Sequence, residues 1–271
     1  MTDAEVPGPH RPGTDASRAG AGRPATGAAR SDDDAPPAVG GSVDPAPATQ
    51  DPAAGSTATC SPAAGSPATG SPVLDASSTG APAAVVRVSE LALDRAARLG
   101  PVRLVCVDGP AGSGKSTFAA ALVAHLADRG VRAAVLHLDD LYAGWSGLDG
   151  DLAPRLSAQV LEPLRRGRVG RHQRYDWPRG EFADWVDVPV PQVLVVEGCG
   201  AGRRTIAADA VVLVWVEAPA PLRLDRGLER DGAAMRPQWE RWMRDEQVHF
   251  ARERTADRAD VRLDAYGRMV G

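Results

Sequence analysis

Residues Val102–Thr117 read VRLVCVDGPAGSGKST, which is a short apolar run, a glycine-rich turn and the opening of a helix. Within this stretch Gly109, Gly114, Lys115 and Ser116 satisfy G-x-x-x-x-G-K-[ST], the spacing of a phosphate-binding loop. The spacing has a physical basis. Glycines let the backbone curl until successive N–H groups point inward at phosphate oxygens, and the following helix turns its positive end on the same place. Gly109, Ala111, Gly112, Ser113, Gly114, Lys115, Ser116 and Thr117 are therefore expected to hold the phosphates of ATP. Lys115 would reach the β- and γ-phosphates, and the Ser116 hydroxyl would ligate Mg²⁺. A glycine-rich turn carrying a chance lysine is the alternative, and the order strand, loop, helix weighs against it.

Composition points the same way. Lys115 is the only lysine among 31 basic residues, the rest being arginine. A compact ammonium on a flexible stem suits a phosphate loop, and a planar guanidinium is not equivalent there.

Working outward, residues 1–84 contain no Phe, Trp or Tyr and hold 13 of the 23 prolines. Such a segment cannot bury enough apolar surface to offset its ordering entropy. Disorder is expected over 1–84, either as a solvated extension or as reading frame ahead of a true start near Val85 or Val88, with one domain over 85–271. The net charge of −4 argues against a generally basic nucleic-acid-binding surface. No run is long and apolar enough to span a membrane, and the N-terminus lacks the apolar middle of a secretory signal. Cys60, Cys106 and Cys199 are widely spaced and odd in number, which suggests neither zinc nor a disulfide framework and suits a reducing cytoplasm.

From residue 85 onward, strands alternate with helices. Ser89 is expected to cap a helix through Leu99, ended by Gly100–Pro101. Phe118, Leu122 and Leu126 form a helical stripe after the phosphate loop. Ala133–Leu138 is a second strand ending in Asp139 and Asp140; Gln192–Val196 is a third ending at Glu197; Ala210–Val216 is a fourth. Val169–Val188 suits edge strands or an inserted lobe. A helix opens at Pro219, another spans about Pro237–Ala256, and Val261–Leu263 closes the chain as a strand. Continuous apolar strands of this kind indicate an α/β fold, a parallel sheet with helices on both faces. Ligands in such folds bind at the carboxyl ends of the strands, where Asp139 and Glu197 fall beside the phosphate loop.

The sequence has neither an N-K-x-D stretch nor an L-S-G-G-Q signature, which weighs against a GTPase or a transporter ATPase. The ordered set GPAGSGKST, DDLY, RYDWP, VVEG and RLDRGLERD resembles the uridine–cytidine kinase family and its phosphoribulokinase-like relatives. The likeness runs over most of 102–264 as ordered motifs rather than continuous identity. It implies a P-loop kinase fold using ATP and Mg²⁺. It also implies that Asp139 takes the proton of the acceptor hydroxyl, with Tyr142 beside it, and that Tyr175 and Asp176 line the nucleoside pocket. Glu197 would lie near Mg²⁺, acting through water. Arg226 and Arg230 of a lid helix, with Arg223 on the same face, would neutralise the transferring phosphoryl group. A histidine that the family carries five positions after the tyrosine is Gly180 here.

Trp239, Trp242, Met243 and Phe250 fit a packing stripe better than a base-stacking surface. His125, His137, His172 and His249 lack ligand spacing. The expected activity is phosphoryl transfer from Mg·ATP to a small-molecule alcohol, with a nucleoside as the leading acceptor. A sugar phosphate, pantothenate, or an ATP-gated binding protein without transfer are the alternatives. Oligomeric state is left open.

Overall fold

The computed structural model describes residues 81–270. Apart from residues 81–84, the expectation of disorder over 1–84 lies outside the described residues, as does Cys60. The chain runs α1 (Ala83–Asp94), β1 (Arg103–Asp108), α2 (Lys115–Asp128), β2 (Ala133–His137), α3 (Leu152–Leu156), α4 (Glu162–Arg165), β3 (Gly170–Asp176) and β4 (Glu181–Val188). It continues through β5 (Val193–Glu197), α5 (Arg204–Ala207), β6 (Ala210–Val216), α6 (Ala220–Asp231), α7 (Arg236–Glu253), α8 (Thr255–Arg258) and β7 (Val261–Leu263). A π-helical stretch, Ser157–Leu161, joins α3 to α4.

Five strands form one parallel sheet in the order β2-β5-β1-β6-β7. Its strands read as continuous apolar runs because both faces are covered. Alternate residues of β1 serve two cores. Val105 and Val107 face α1 and α2, meeting Val88, Phe118, Leu122 and Leu126. Leu104 and Cys106 face the opposite core with Leu156, Leu164 and Trp242. This is the period-2 alternation of a strand translated into two layers of helices. The α/β expectation holds, with helices on both faces.

One local expectation is corrected, and one left open between edge strands and an inserted lobe is decided for the lobe. The first helix runs Ala83–Asp94, not from a cap at Ser89. Ser89 is buried inside it and its hydroxyl accepts from Arg129 Nη1 at 3.1 Å. The face formed by Ala84, Val85, Val88 and Ala92 sits against α2, and that burial overrides the capping preference of one serine. α1 therefore starts two residues ahead of Val85. Val169–Val188 is a two-stranded antiparallel hairpin, β3 with β4, outside the main sheet.

The strand order places β1 between β5 and β6, neither of which neighbours it in sequence. The connections from β1 and β5 consequently leave in different directions at their carboxyl ends, which opens a crevice there.

Candidate active site

The phosphate loop fills one side of that crevice. Gly109, Gly112 and Gly114 have φ of 144°, 77° and 105°, backbone that only glycine adopts without strain. A Cβ on Gly109 would stand 2.0 Å from the carbonyl oxygen of Val216, so β6 and the loop are packed too closely for any other residue. Ser113 N–H is used within the turn, donating to Pro110 O at 3.2 Å, and Phe118 N–H closes the first helical bond to Gly114 O. The N–H groups of Gly112, Gly114, Lys115, Ser116 and Thr117 find no partner among the described residues. An anion is the natural occupant of such a row of donors at a helix N-terminus.

Lys115 is only 7 % exposed, and its Nζ donates to Pro110 O at 2.9 Å. Burial alone would lower its pKa; Cys199 and the carboxylates of Glu197, Glu246 and Asp108 more than offset this and hold the ammonium above its ordinary value. The Ser116 hydroxyl donates to Glu197 Oε1 at 3.0 Å, and His137 Nδ1 lies 2.5 Å from the same oxygen. No three His, Cys, Asp or Glu side chains cluster as a metal cage among the described residues. The donor set fits magnesium all the same, because that cation keeps several waters and takes phosphate oxygens, needing only one or two protein oxygens.

The sequence did not single out two acids that position this loop. Asp108, at the end of β1, is fully buried and accepts from Gly109 N (2.8 Å), Gly200 N (2.8 Å) and Gly202 N (2.9 Å). Burial pushes its carboxyl up to about 6, against the pull of those three hydrogen bonds. Glu246, on α7, accepts from Ala111 N at 2.8 Å and pairs with Arg223 Nη1 at 2.5 Å. Neither shows a motif, since apart from Gly109 their partners come from distant segments.

Across the crevice, Asp139 lines the cavity shared with Ala111, Gly112, Lys115, Ser116 and Glu197. β2 ends at His137, and a 3-10 turn over Leu138–Asp140 follows. Asp139 therefore faces the cavity, while Asp140 comes within 3.8 Å of His172 Nε2. Burial, and then the nearby Glu197 carboxylate, push the Asp139 carboxyl up to about 6. The walls beyond it are aromatic. Tyr142, Trp145, Trp177, Trp239 and Trp242 line this part of the cavity, with Arg230 at its side. Trp239 and Trp242 thus combine the packing role expected of them with a place in the cavity wall. Trp145 and Trp177 lie in loop and turn segments, where no periodicity could flag them. Tyr142 is buried, its hydroxyl donating to Cys199 O at 2.8 Å.

Of the remaining candidates, Tyr175, Asp176 and Arg226 stand outside the cavity lining and Arg230 within it. Tyr175 packs edge-on against Trp177 and Phe182, one layer behind the lining. Asp176 caps the hairpin turn, its Oδ1 accepting from Arg179 N at 3.0 Å. Arg226 donates to Gly112 O (3.1 Å) and Ala265 O (3.2 Å), fastening α6 to the phosphate loop. Arg230 lines the cavity while holding Asp231 through two hydrogen bonds of 2.7 and 3.0 Å.

No protein-family profile and no curated protein matches the chain. Among solved structures it is similar to a possible uridine kinase from Bacillus stearothermophilus, at 19% identity over 66% of this chain and 96% of that one, TM-score 0.48. It is also similar to the D-glycerate 3-kinase of Cryptococcus neoformans, at 17% identity over 70% of this chain and 98% of that one, TM-score 0.43.

Proposed function

We propose that this chain is an ATP-dependent small-molecule kinase that transfers the γ-phosphoryl group of Mg·ATP to an alcohol, with a nucleoside as the acceptor. One observation carries the reading: Lys115 of the phosphate loop and Asp139 of the turn after β2 line a single cavity. Glu197 beside Ser116 can serve the cation, which leaves Asp139 to take the proton that transfer to a hydroxyl releases.

The loop amides and Lys115 hold the β- and γ-phosphates, and Arg230 adds positive charge where the transferring group gains negative charge. Ser116 and Glu197 would hold Mg²⁺, Glu197 through water; the cation neutralises phosphate oxygens when bound. Asp139, with a carboxyl at about 6, is ionised at neutral pH and accepts the acceptor's proton as the oxygen attacks phosphorus and the ADP oxygen leaves. Its pKa suits that task, since a base works best when its pKa lies near the working pH. Most of the acceleration would come from positioning and fixed charge.

The test is ADP release with Mg·ATP over a panel of nucleosides, sugar phosphates, pantothenate and glycerate, with acceptor-free ATP hydrolysis as background. Acceptor-dependent ADP release is expected. Nucleotide binding with no acceptor-dependent release across the panel would leave an ATP-gated binding protein instead.

A further inference from the structure

The four indoles of the acceptor side are not equivalent. Two are anchored: Trp177 Nε1 donates to Asp139 O at 3.1 Å, and Trp239 Nε1 to Asp231 Oδ2 at 2.9 Å. Trp242 is 5 % exposed, and its indole nitrogen is buried with no hydrogen-bond partner among the described residues. Buried polar groups in folded proteins are almost always paired, so an unpaired donor in a cavity wall marks a place where something else completes it. Trp145 packs edge-on against the Trp242 ring. Its ring centroid is 6.1 Å from that of Trp242 at 82°, and its other contacts are edge-on to Trp177 (5.7 Å) and Trp239 (6.5 Å).

Trp145 sits in a short 3-10 turn, Gly144–Ser146, flanked by Gly147 and Gly150, with Gly144 at φ 70°. Edge-on aromatic contacts are individually weak, and a glycine-flanked turn can absorb the backbone rotation that moves such a side chain. Charge narrows what enters. The cavity's cationic side chains are Lys115, on the phosphate loop, and Arg230, held by Asp231. Asp139 and Glu197 are both acids of the same cavity. A second phosphate group would meet those carboxylates without a free cation to balance it.

We propose that Trp145 and Trp242 determine acceptor specificity: Trp145 is a displaceable stopper over the Trp242 N–H, which donates to a ring carbonyl or ring nitrogen of an uncharged, flat-ringed alcohol. The acceptor's ring takes the position against Trp242 that Trp145 fills in the free protein, and its hydroxyl faces Asp139. This rests on the kinase reading, and it deepens that reading by excluding phosphorylated acceptors.

The test compares uridine, phenyl riboside and ribose 5-phosphate in the intact chain and in Trp242→Phe, which keeps an aromatic ring and removes the donor. Phenyl riboside keeps the flat ring and has no accepting atom on it. In the unaltered protein kcat/KM should favour uridine over phenyl riboside by roughly 10–100-fold, with ribose 5-phosphate poorest. In Trp242→Phe that preference should collapse towards unity through a rise in the uridine KM, the KM for ATP being held. The substrate comparison in the unaltered protein needs no variant, so a poorly folded Trp242→Phe does not remove the test.

An unchanged uridine preference in a folded Trp242→Phe overturns the proposal, as does equal use of uridine and phenyl riboside by the unaltered protein. ADP release driven best by ribose 5-phosphate overturns this proposal and keeps the kinase. ADP release driven by no alcohol at all overturns both.

Discussion

Glu246 Oε1 lies 2.5 Å from Arg223 Nη1, while its other carboxylate oxygen accepts the phosphate-loop amide of Ala111 at 2.8 Å. Arg223 in turn donates to Ala218 O (3.1 Å) and Ala111 O (3.2 Å). One buried ion pair thus joins the phosphate loop, the arginine-rich helix α6 and the long helix α7. It couples the geometry of the phosphate loop to two helices that contribute Arg230, Trp239 and Trp242 to the cavity wall.

Breaking that pair from one side should be costly. Glu246→Ala leaves a buried guanidinium without its counter-charge and an amide unpaired, and about 3–5 kcal/mol of stability should be lost, as for other buried pairs cut singly. Glu246→Gln keeps an oxygen for Ala111 N–H and should lose less. Denaturant unfolding of both variants checks this; equal and small losses would mean that the pair contributes nothing to the fold.

Asp139 and Asp140 carry the same charge one residue apart, yet only Asp139 faces the cavity. Asp139→Asn should keep ATP binding and lose turnover by roughly 10²–10⁴-fold, the range for general acid–base catalysis, while Asp140→Asn should lose far less. Turnover at saturating ATP with the best acceptor, measured beside ATP affinity, separates the two. A large loss at Asp140 alone would move the base by one position, and a large fall in ATP affinity in Asp139→Asn would make Asp139 part of the metal site.

The same carboxyl gives a stability signature. Its folded value is raised from 3.8 to about 6, so between those limits the folded state binds a proton that the unfolded state lacks. Stability contributed by this group therefore falls as pH rises through that window, and the cost is fully present above it. Asp139→Asn should accordingly be more stable than the unaltered protein at pH 7, by roughly 1–2 kcal/mol given the open cavity, with the difference vanishing near pH 4. Activity should run the other way: kcat/KM of the unaltered protein should fall as pH drops below about 6. Thermal midpoints and kinetics across pH 4–8 check both signs. A variant that is less stable at pH 7 would contradict the account.

Lys115 is buried, 7 % exposed, with its ammonium donating to Pro110 O. Lys115→Ala should abolish detectable transfer and leave the acids around it without their cation. Lys115→Arg should also be inactive, because the buried space is shaped for a narrow stem and the planar fork presents its donors differently. Calorimetric ATP binding together with ADP release checks this; normal turnover in Lys115→Arg would remove the lysine from the mechanism.

Gly227 lets α6 pack closely on α7: a Cβ there would stand 2.4 Å from the Trp239 ring. Gly227→Ala should destabilise by about 1–3 kcal/mol through overpacking and raise the acceptor KM more than the ATP KM, since Trp239 walls the acceptor side. Matched changes in both KM values would show that the helix contact serves the whole cleft.

The sequence by itself determined whatever depends on neighbours along the chain. The phosphate loop, the apolar strands with acids near their ends, and the arginines of α6 on one helical face are all local patterns of spacing. Backbone curl, period-2 burial and helical periodicity are set within a few residues. What only the tertiary structure decided is which distant groups converge. Asp108 holds glycines some ninety positions away, and Glu246 reaches back across α6 to the loop. Tyr175 and Asp176 sit together in a motif yet lie off the cavity, because the hairpin β3–β4 turns them towards its own turn and Phe182. Four indoles from loop, hairpin and helix meet around one space. Their separation in sequence carries no periodic signal, since the sheet order β2-β5-β1-β6-β7, and not the spacing of residues, sets who meets whom at the strand ends.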